Sequence, residues 1–260
     1  MKTNNEKKEN KIGKWVRRLI LLVCICVFCY SAFNLVSIWL DYKTMDDANA
    51  SIQSKYTSEL PKKYLDIDWD SLSKRNSDVK AWIQIPDTNV DYPVLQGATN
   101  DTYIHSDIDK KSFRAGSIFI QADVKDPFNQ VNTVIYGHNM KNGSMFADIK
   151  SYTEQDFANK HPYVYIYMPD STVSIYKVVS AHIISAESNL YNTSYTNYQE
   201  YYTEMLKNSN ISVDFDQTQN NPVITLSTCT SGGSANGKRN VVHAVLQEKG
   251  INPKTNTRPS

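Results

Sequence analysis

Three side chains in the second half of this 260-residue sequence are of types that can together run acyl chemistry: Cys229, His138 and Arg239. A thiol can attack a carbonyl and hold the acyl group as a thioester, an imidazole can move the proton, and a guanidinium can hold the oxyanion. Cys229 closes the run Pro222-Val223-Ile224-Thr225-Leu226-Ser227-Thr228-Cys229, which reads as a strand, and Thr230-Ser231-Gly232-Gly233-Ser234 follows as a small-residue loop. Sulfur at such a strand mouth is open to a substrate. A buried structural thiol is the competing reading, because lone cysteines pack as small apolar groups. His138 follows the apolar run Val134-Ile135-Tyr136, with Gly137 permitting a sharp turn between them. Arg239 stands ten residues beyond Cys229 and opens RNVVHAVL, so a strand–loop–strand can return it to the thiol. A surface arginine at a strand start, or Lys238 in its place, fits the same letters. Of the other histidines, His182 and His243 sit in apolar strand-like settings and read as packed, while His105 and His161 sit in polar stretches and read as solvated.

The cysteine arithmetic isolates Cys229. The chain has four cysteines, and Cys24, Cys26 and Cys29 all lie in Leu19–Leu40, a run of 22 residues without a charge. A helix of that length spans roughly 33 Å, enough for a bilayer core of about 30 Å. A cleaved signal would have a shorter apolar core and a small-x-small site after it, and neither is present. Residues 1–18 carry seven bases and two acids, a net +5, while Asp41, Asp46 and Asp47 follow the run. The positive-inside rule then puts residues 1–18 in the cytoplasm and 41–260 outside. One exported thiol cannot close an internal disulfide, so it is either reactive or bridges to another chain. The remaining 242 residues carry −4 against the whole chain's +1, which argues against nucleic acid as a partner.

Residues 41–80 read as helical, either a stalk or helices packed on the side of the outer domain: Met45, Ala48, Ile52 and Tyr56 recur at helical spacing, and Trp69, Leu72 and Val79 mark a second helical piece after Pro61. From Ala81 the texture turns to strands: AWIQI, DYPVLQ, GSIFIQ and NTVIYG, then YVYIYM and TVSIYKVVSAHIIS about a Pro169-Asp170-Ser171 turn, and finally the two runs around Cys229 and Arg239. Thr196–Lys207 reads as an amphipathic helix inserted before the cysteine strand. Short alternating strands separated by turns predict a barrel or sandwich rather than βαβ units.

T-L-S-T-C ending one strand, arginine ten residues later opening its partner, Y-G-H-N upstream, D-Y-P-V-L-Q and the apolar N-terminal run together resemble class B sortases over roughly Trp69 to Gln247. The resemblance implies a mainly β fold, an eight-stranded barrel with N-terminal helices and an inserted helix, over residues 81–250. It implies a membrane-held cysteine transpeptidase that cuts a sorting motif (NPxTN-like or SPxTG-like) after its threonine. Its partners would be surface proteins bearing that C-terminal signal and a peptidoglycan precursor or cross-bridge amine, with no metal or other cofactor. Carried over position by position, Cys229 matches the nucleophile, His138 the acid/base and Arg239 the oxyanion holder. Ser227 matches a substrate contact, as does its neighbour Thr228, and Leu95, Leu190 and Tyr191 match the peptide groove more loosely. Some members have an acid just after the cysteine where this chain has Thr230 and Ser231. A cysteine endopeptidase using water, and a non-catalytic tethered domain that binds peptide or cell wall, remain alternatives. Asn252-Pro253-Lys254-Thr255-Asn256, in a tail (251–260) read as flexible, resembles such a motif itself; in an Asn- and Thr-rich chain it reads first as coincidence, with a tail that visits the groove as a pseudosubstrate as the alternative.

Overall fold

The computed structural model describes residues 3–59, 64–230, 233–255 and 257. The chain divides into two compact units, Met1–Asp47 and Ala48–Ser260. The first is the bulk of helix α1 (Thr3–Tyr56). Its large apolar side chains face outward, Leu19 at 63%, Phe28 at 74% and Phe33 at 71% exposure. A helix with apolar residues all round its surface has the character of a membrane anchor or a signal segment. Among the described residues it is the one helix long and apolar enough to cross a membrane.

The second unit is built on a closed barrel of eight strands. Ahead of it, β1 (Thr57–Glu59) and β2 (Leu65–Ile67) pair as an antiparallel hairpin, and α2 (Trp69–Arg75) follows, capped by Asp68, whose carboxylate accepts from the Ser71 amide at 3.0 Å. The two helical pieces expected over 41–80 are therefore separated by these paired strands, and Val79 opens the barrel's first strand instead of extending the second helix. The reason is packing. Tyr56, Leu65, Ile67, Trp69 and Leu72 join Trp82, Leu95 and Tyr167 in one buried cluster, and that burial outweighs local spacing.

The barrel strands are β3 (Val79–Gln84), β4 (Asp91–Leu95), β5 (Ile118–Ile120), β6 (Asn132–Tyr136), β7 (Tyr163–Tyr167), β8 (Val173–Ser185), β9 (Val223–Cys229) and β10 (Lys238–Ile251). Around the barrel they run β10-β8-β7-β3-β4-β5-β6-β9, with β4/β5 and β6/β9 parallel and the other neighbouring pairs antiparallel. Ile83, Val94, Ile135, Ile166, Leu226 and Val242 are fully buried. The short α3 (Gln155–Lys160) follows a 3₁₀ turn at Ala147–Thr153, neither of which the sequence signalled. The inserted helix α4 (Tyr198–Leu206) starts at Asn197, whose side chain accepts from the Gln199 and Glu200 amides. It buries Tyr201, Tyr202 and Met205 against Val131, Val179, Val223 and Val245. Strands under it are covered on both faces, which explains their nearly unbroken apolar runs.

Under α4 lies a buried polar network. His182 Nε2 and His243 Nε2 are 3.3 Å apart, and His243 Nδ1 is 2.9 Å from Thr225 Oγ1. Thr225 donates to Asn132 Oδ1 at 2.7 Å, and Asn132 Nδ2 donates to the Leu190 carbonyl at 3.0 Å. As expected, both histidines are packed. His161 departs from expectation: it is half-buried, with Nδ1 3.1 Å from the Pro86 carbonyl and its ring 4.4 Å from that of Phe157.

The described part of the tail is docked. Ile251 and Pro253 are buried, Lys254 Nζ lies 3.0 Å from Asp66 Oδ2, and the Asn252 amide donates to the Thr257 carbonyl at 2.7 Å. At about 3.3 Å per residue, β10 separates this tail from Arg239 by tens of ångströms. Insertion into the same molecule's Cys229 region would strip these contacts, which favours coincidence over a pseudosubstrate for the described part of the motif; Asn256 lies outside the described residues. Deleting Asn252–Ser260 is expected to lower the melting temperature and leave turnover of a short peptide unchanged.

The histidine pair generates a pH prediction. Burial holds His182 below the ordinary imidazole value, and burial together with the His182 charge holds His243 well below it. Below that ordinary value, 6.5, the unfolded chain takes up protons that the folded chain refuses. Stability is therefore full above it and falls on acidification, by up to about 1.4 kcal/mol per pH unit for each imidazole. Thermal unfolding followed from about pH 7 to about pH 5 should show this loss, with a shallower slope in His243→Gln.

Candidate active site

Strand pairing brings the three chemical side chains together. β9 lies between β6 and β10, so the cysteine strand has the histidine strand on one side and the arginine strand on the other. In the antiparallel register Arg239 is directly opposite Cys229. In the parallel register Tyr136 pairs with Ser227, so two further steps along each chain lead to His138 and Cys229. The Gly137 amide continues the ladder by donating to the Ser227 carbonyl at 3.1 Å. Neighbouring strands are about 5 Å apart, so all three residues gather at one barrel end.

They line one cavity of about 380 Å³ with Ser227, Thr228, Tyr136, Phe119, Ile104, His105 and others. Cys229 is half-exposed rather than walled in, which disfavours the structural-thiol reading. Its main chain is clamped: Asn139 Nδ2 donates to the Cys229 carbonyl at 3.0 Å and Asn240 Nδ2 to the same oxygen at 3.3 Å. Arg239 is partly exposed and donates from Nη1 to the Lys238 carbonyl at 2.9 Å. Lys238, its rival in the sequence, is exposed and absent from the cavity lining.

His138 is half-buried, and Nε2 lies 2.6 Å from the Ile104 carbonyl. A carbonyl only accepts, so Nε2 carries the proton and Nδ1 is the basic nitrogen of the neutral ring. Burial is the main cause that holds His138 below the ordinary value; the Ile104 bond opposes it and the His105 charge adds to it. His105 was expected to be merely solvated. It is exposed, but its ring stacks on His138 with centroids 5.5 Å apart and planes 16° apart.

The groove residues divide. Ser227 is buried, with Oγ 2.8 Å from the Tyr191 hydroxyl, and burial pushes that phenol up to about 12, so it stays protonated. Thr228 lines the cavity, and its buried hydroxyl has no partner among the described residues. Leu95 and Leu190, expected on the groove wall, are instead core residues at 0% and 5% exposure. Leu95 packs with Trp82 and Tyr103, and Leu190 packs under α4, so each supports the site only from behind.

The sequence did not single out Gln121. Its Oε1 accepts from Tyr136 at 2.6 Å, and its Nε2 donates to the Tyr191 carbonyl at 3.1 Å and to Asp123 at 2.8 Å. One amide thus ties the Tyr136 hydroxyl to the Tyr191 main chain, and the two rings have centroids 5.9 Å apart. Nothing local marks a glutamine for that task. Asn139 had a signal, its place beside His138 in Y-G-H-N.

The arrangement is competent for acyl transfer through sulfur, and comparison with known proteins agrees. A sortase-domain family model matches residues 83–247. The chain belongs to the sortase B family. Sortase B of Listeria monocytogenes is 30% identical over 248 residues, covering 92% of this chain and 100% of that protein. Among solved structures, a Staphylococcus aureus sortase B–substrate complex matches with TM-score 0.63 and 31% identity over 70% of this chain and 85% of its own. A sortase B complexed with triglycine matches with TM-score 0.62 and 31% identity over 70% and 86%. As a sortase B the protein is a cysteine transpeptidase.

Gly137 is the steric hinge of the site. A Cβ there would stand 2.5 Å from Ile118 Cδ1 and 2.6 Å from Phe146 Cγ. Gly137→Ala is expected to lower the unfolding free energy by about 1–3 kcal/mol, the usual cost of overpacking. Denaturant titration reads the stability. Because His138 moves while Cys229 stays clamped, peptide turnover should fall further than the rate of thiol alkylation.

Proposed function

We propose that this sortase is held in the membrane by residues 19–40, with residues 1–18 in the cytoplasm and the barrel outside. There it cuts an NPxTN-like or SPxTG-like sorting motif after its threonine and joins the new carboxyl to a peptidoglycan amine. The observation that carries this reading is the β6–β9–β10 order, which lines one cavity with Cys229, His138 and Arg239. The Cys229 thiolate attacks the threonine carbonyl, and Arg239 holds the oxyanion of the tetrahedral intermediate. Protonated His138 gives its proton to the departing amine as the carbon–nitrogen bond breaks, leaving a thioester on sulfur. The acceptor amine then attacks the thioester carbon, neutral His138 takes its proton, and the thiolate leaves as the amide forms. The Tyr191–Ser227 pair, with Tyr136 and Thr228, contacts the peptide beside the sulfur. A glycine amine is the favoured acceptor, by analogy with the sortase B complexed with triglycine.

The test incubates the full-length chain in detergent micelles with both motif peptides, with and without triglycine, and follows products and protein by mass spectrometry. An acyl adduct on Cys229 and faster amide formation than hydrolysis are expected. Cys229→Ala should abolish both. Arg239→Ala should cost about 10²–10³-fold, as removal of an oxyanion donor does, and His138→Ala about 10²–10⁴-fold. Cleavage at a rate and with products indifferent to added amine would make the protein a plain endopeptidase. Binding of peptide with no turnover, undisturbed in Cys229→Ala, would leave only a tethered binding domain.

A further inference from the structure

The loop between β4 and β5 supplies the site with a second imidazole that the reaction scheme does not use. Its main chain is fixed from both sides. The Ser117 amide donates to the Tyr103 carbonyl at 2.9 Å, the Phe113 amide to the His105 carbonyl at 2.9 Å, and Ser117 Oγ to the Ser106 carbonyl at 2.8 Å. Tyr103 is fully buried and its hydroxyl donates to Asp78 Oδ2 at 2.6 Å. Gly116, at φ +56°, lets the chain pass so close that a Cβ there would be 2.4 Å from the Ile104 oxygen. So tight a scaffold presents both the Ile104 carbonyl and the His105 ring to His138.

We propose that His105 is a positioning residue for this reaction: its ring, stacked on His138, opposes a second positive charge there and favours the neutral ring that takes the acceptor amine's proton. The inference rests on the proposed acid/base role of His138 for its consequence in catalysis, but not for its physical content. The titratable and charged groups sharing the cavity with His138 are Asp101 and His105 from this loop, Tyr136 from its own strand, Cys229 from β9 and Arg239 from β10. Of these, His105 has its ring against that of His138. Two unit charges about 5.5 Å apart in a water-like medium shift a titration by roughly half a pH unit, and by more where the medium is less polar. The direction agrees with the depressed titration of His138, to which the His105 charge contributes.

The test titrates His138 directly by NMR in the full-length chain in micelles, with histidine labelled at Cε1, so no turnover is required. In His105→Gln the His138 midpoint should rise by about half a unit, and in His105→Lys, a permanent cation at the same place, it should fall below wild type. A role limited to packing would move both variants in the same direction, and that result overturns the proposal, as does a His138 midpoint unchanged in both. In the aminolysis assay, His105→Gln should lose about threefold on the acidic limb, the half-unit expressed as a rate, with no loss on the alkaline side. Transpeptidation with an unmoved His138 midpoint would leave the proposed function standing and end this inference. The expected shifts in a chain that transfers no peptide would do the reverse.

Discussion

The structure depends on where β9 sits. A strand in the interior of a sheet must satisfy hydrogen bonds along both edges, and β9 does so with one parallel neighbour and one antiparallel one. The antiparallel partner β10 returns through the short loop after Cys229, so Arg239 arrives opposite the cysteine by register alone. The parallel partner β6 comes from far earlier in the chain, and the parallel direction makes its C-terminal end coincide with that of β9. Had β6 run the other way, His138 would lie at the far end of the barrel from the sulfur. A one-residue slip of β9 would turn Cys229 to the opposite face and put Thr228 in its place. Among the described residues no hydrogen bond joins these three side chains, so the geometry of the site is held by the ladder.

That division of labour explains the polar groups around the site. The cavity face of a sheet end lacks further strand residues to continue the ladder, so side-chain amides complete it: Asn139 and Asn240 both donate to the Cys229 carbonyl. Gln121 does the same for the wall, joining β5, the Tyr136 hydroxyl at the end of β6 and the 3₁₀ turn that carries Tyr191. Asn132 holds that turn from beneath through the Leu190 carbonyl, and the buried Thr225–His243 contacts fix Asn132 in turn. The Tyr191 turn, which meets the cavity-lining Ser227 and Tyr136, thus rests on a buried network that is fully formed when its imidazoles are neutral. Acid that charges the pair under α4 would reach the cavity-lining Ser227 through Leu190 and Tyr191.

How much of this was legible in the sequence follows from how local each feature is. The barrel strands, the inserted helix and the trio Cys229, His138 and Arg239 are written in runs of contiguous residues, each with its own period or turn signal. The hairpin of β1 and β2 is not, because three-residue strands carry too little pattern to compete with the helical spacing on either side. Leu95 misled for a related reason. It belongs to a strand whose last four residues are all buried, so no alternation separates the face that meets the core from the face that meets a ligand. Leu190 misled because its side chain and its carbonyl do different work: the side chain packs and the carbonyl anchors the wall. His105 and Gln121 act through partners 33 and 15 residues away along the chain, His138 and Tyr136, and no local period reports such contacts.

The charge inventory of the cavity gives the last step. Arg239 is permanently cationic, and this chain has Thr230 and Ser231, not an acid, directly after the cysteine. Among the described residues, Asp101 on the β4–β5 loop is the carboxylate that lines the cavity. The proposed chemistry needs an imidazole that is an acid when the amine leaves and a base when the next amine arrives. With the guanidinium fixed, the imidazole is the adjustable charge, and both its half-burial and a second imidazole stacked on it act against its charged form. Each influence lowers the population of the protonated ring that serves the leaving group and raises that of the neutral ring that serves the acceptor. The β strands set where the reacting atoms are, while the loop before β5 sets which half of the reaction is favoured. Loops can change without unpairing a barrel, so the balance between acylation and transfer can be set at a single exposed position such as His105 while the strands stay as they are.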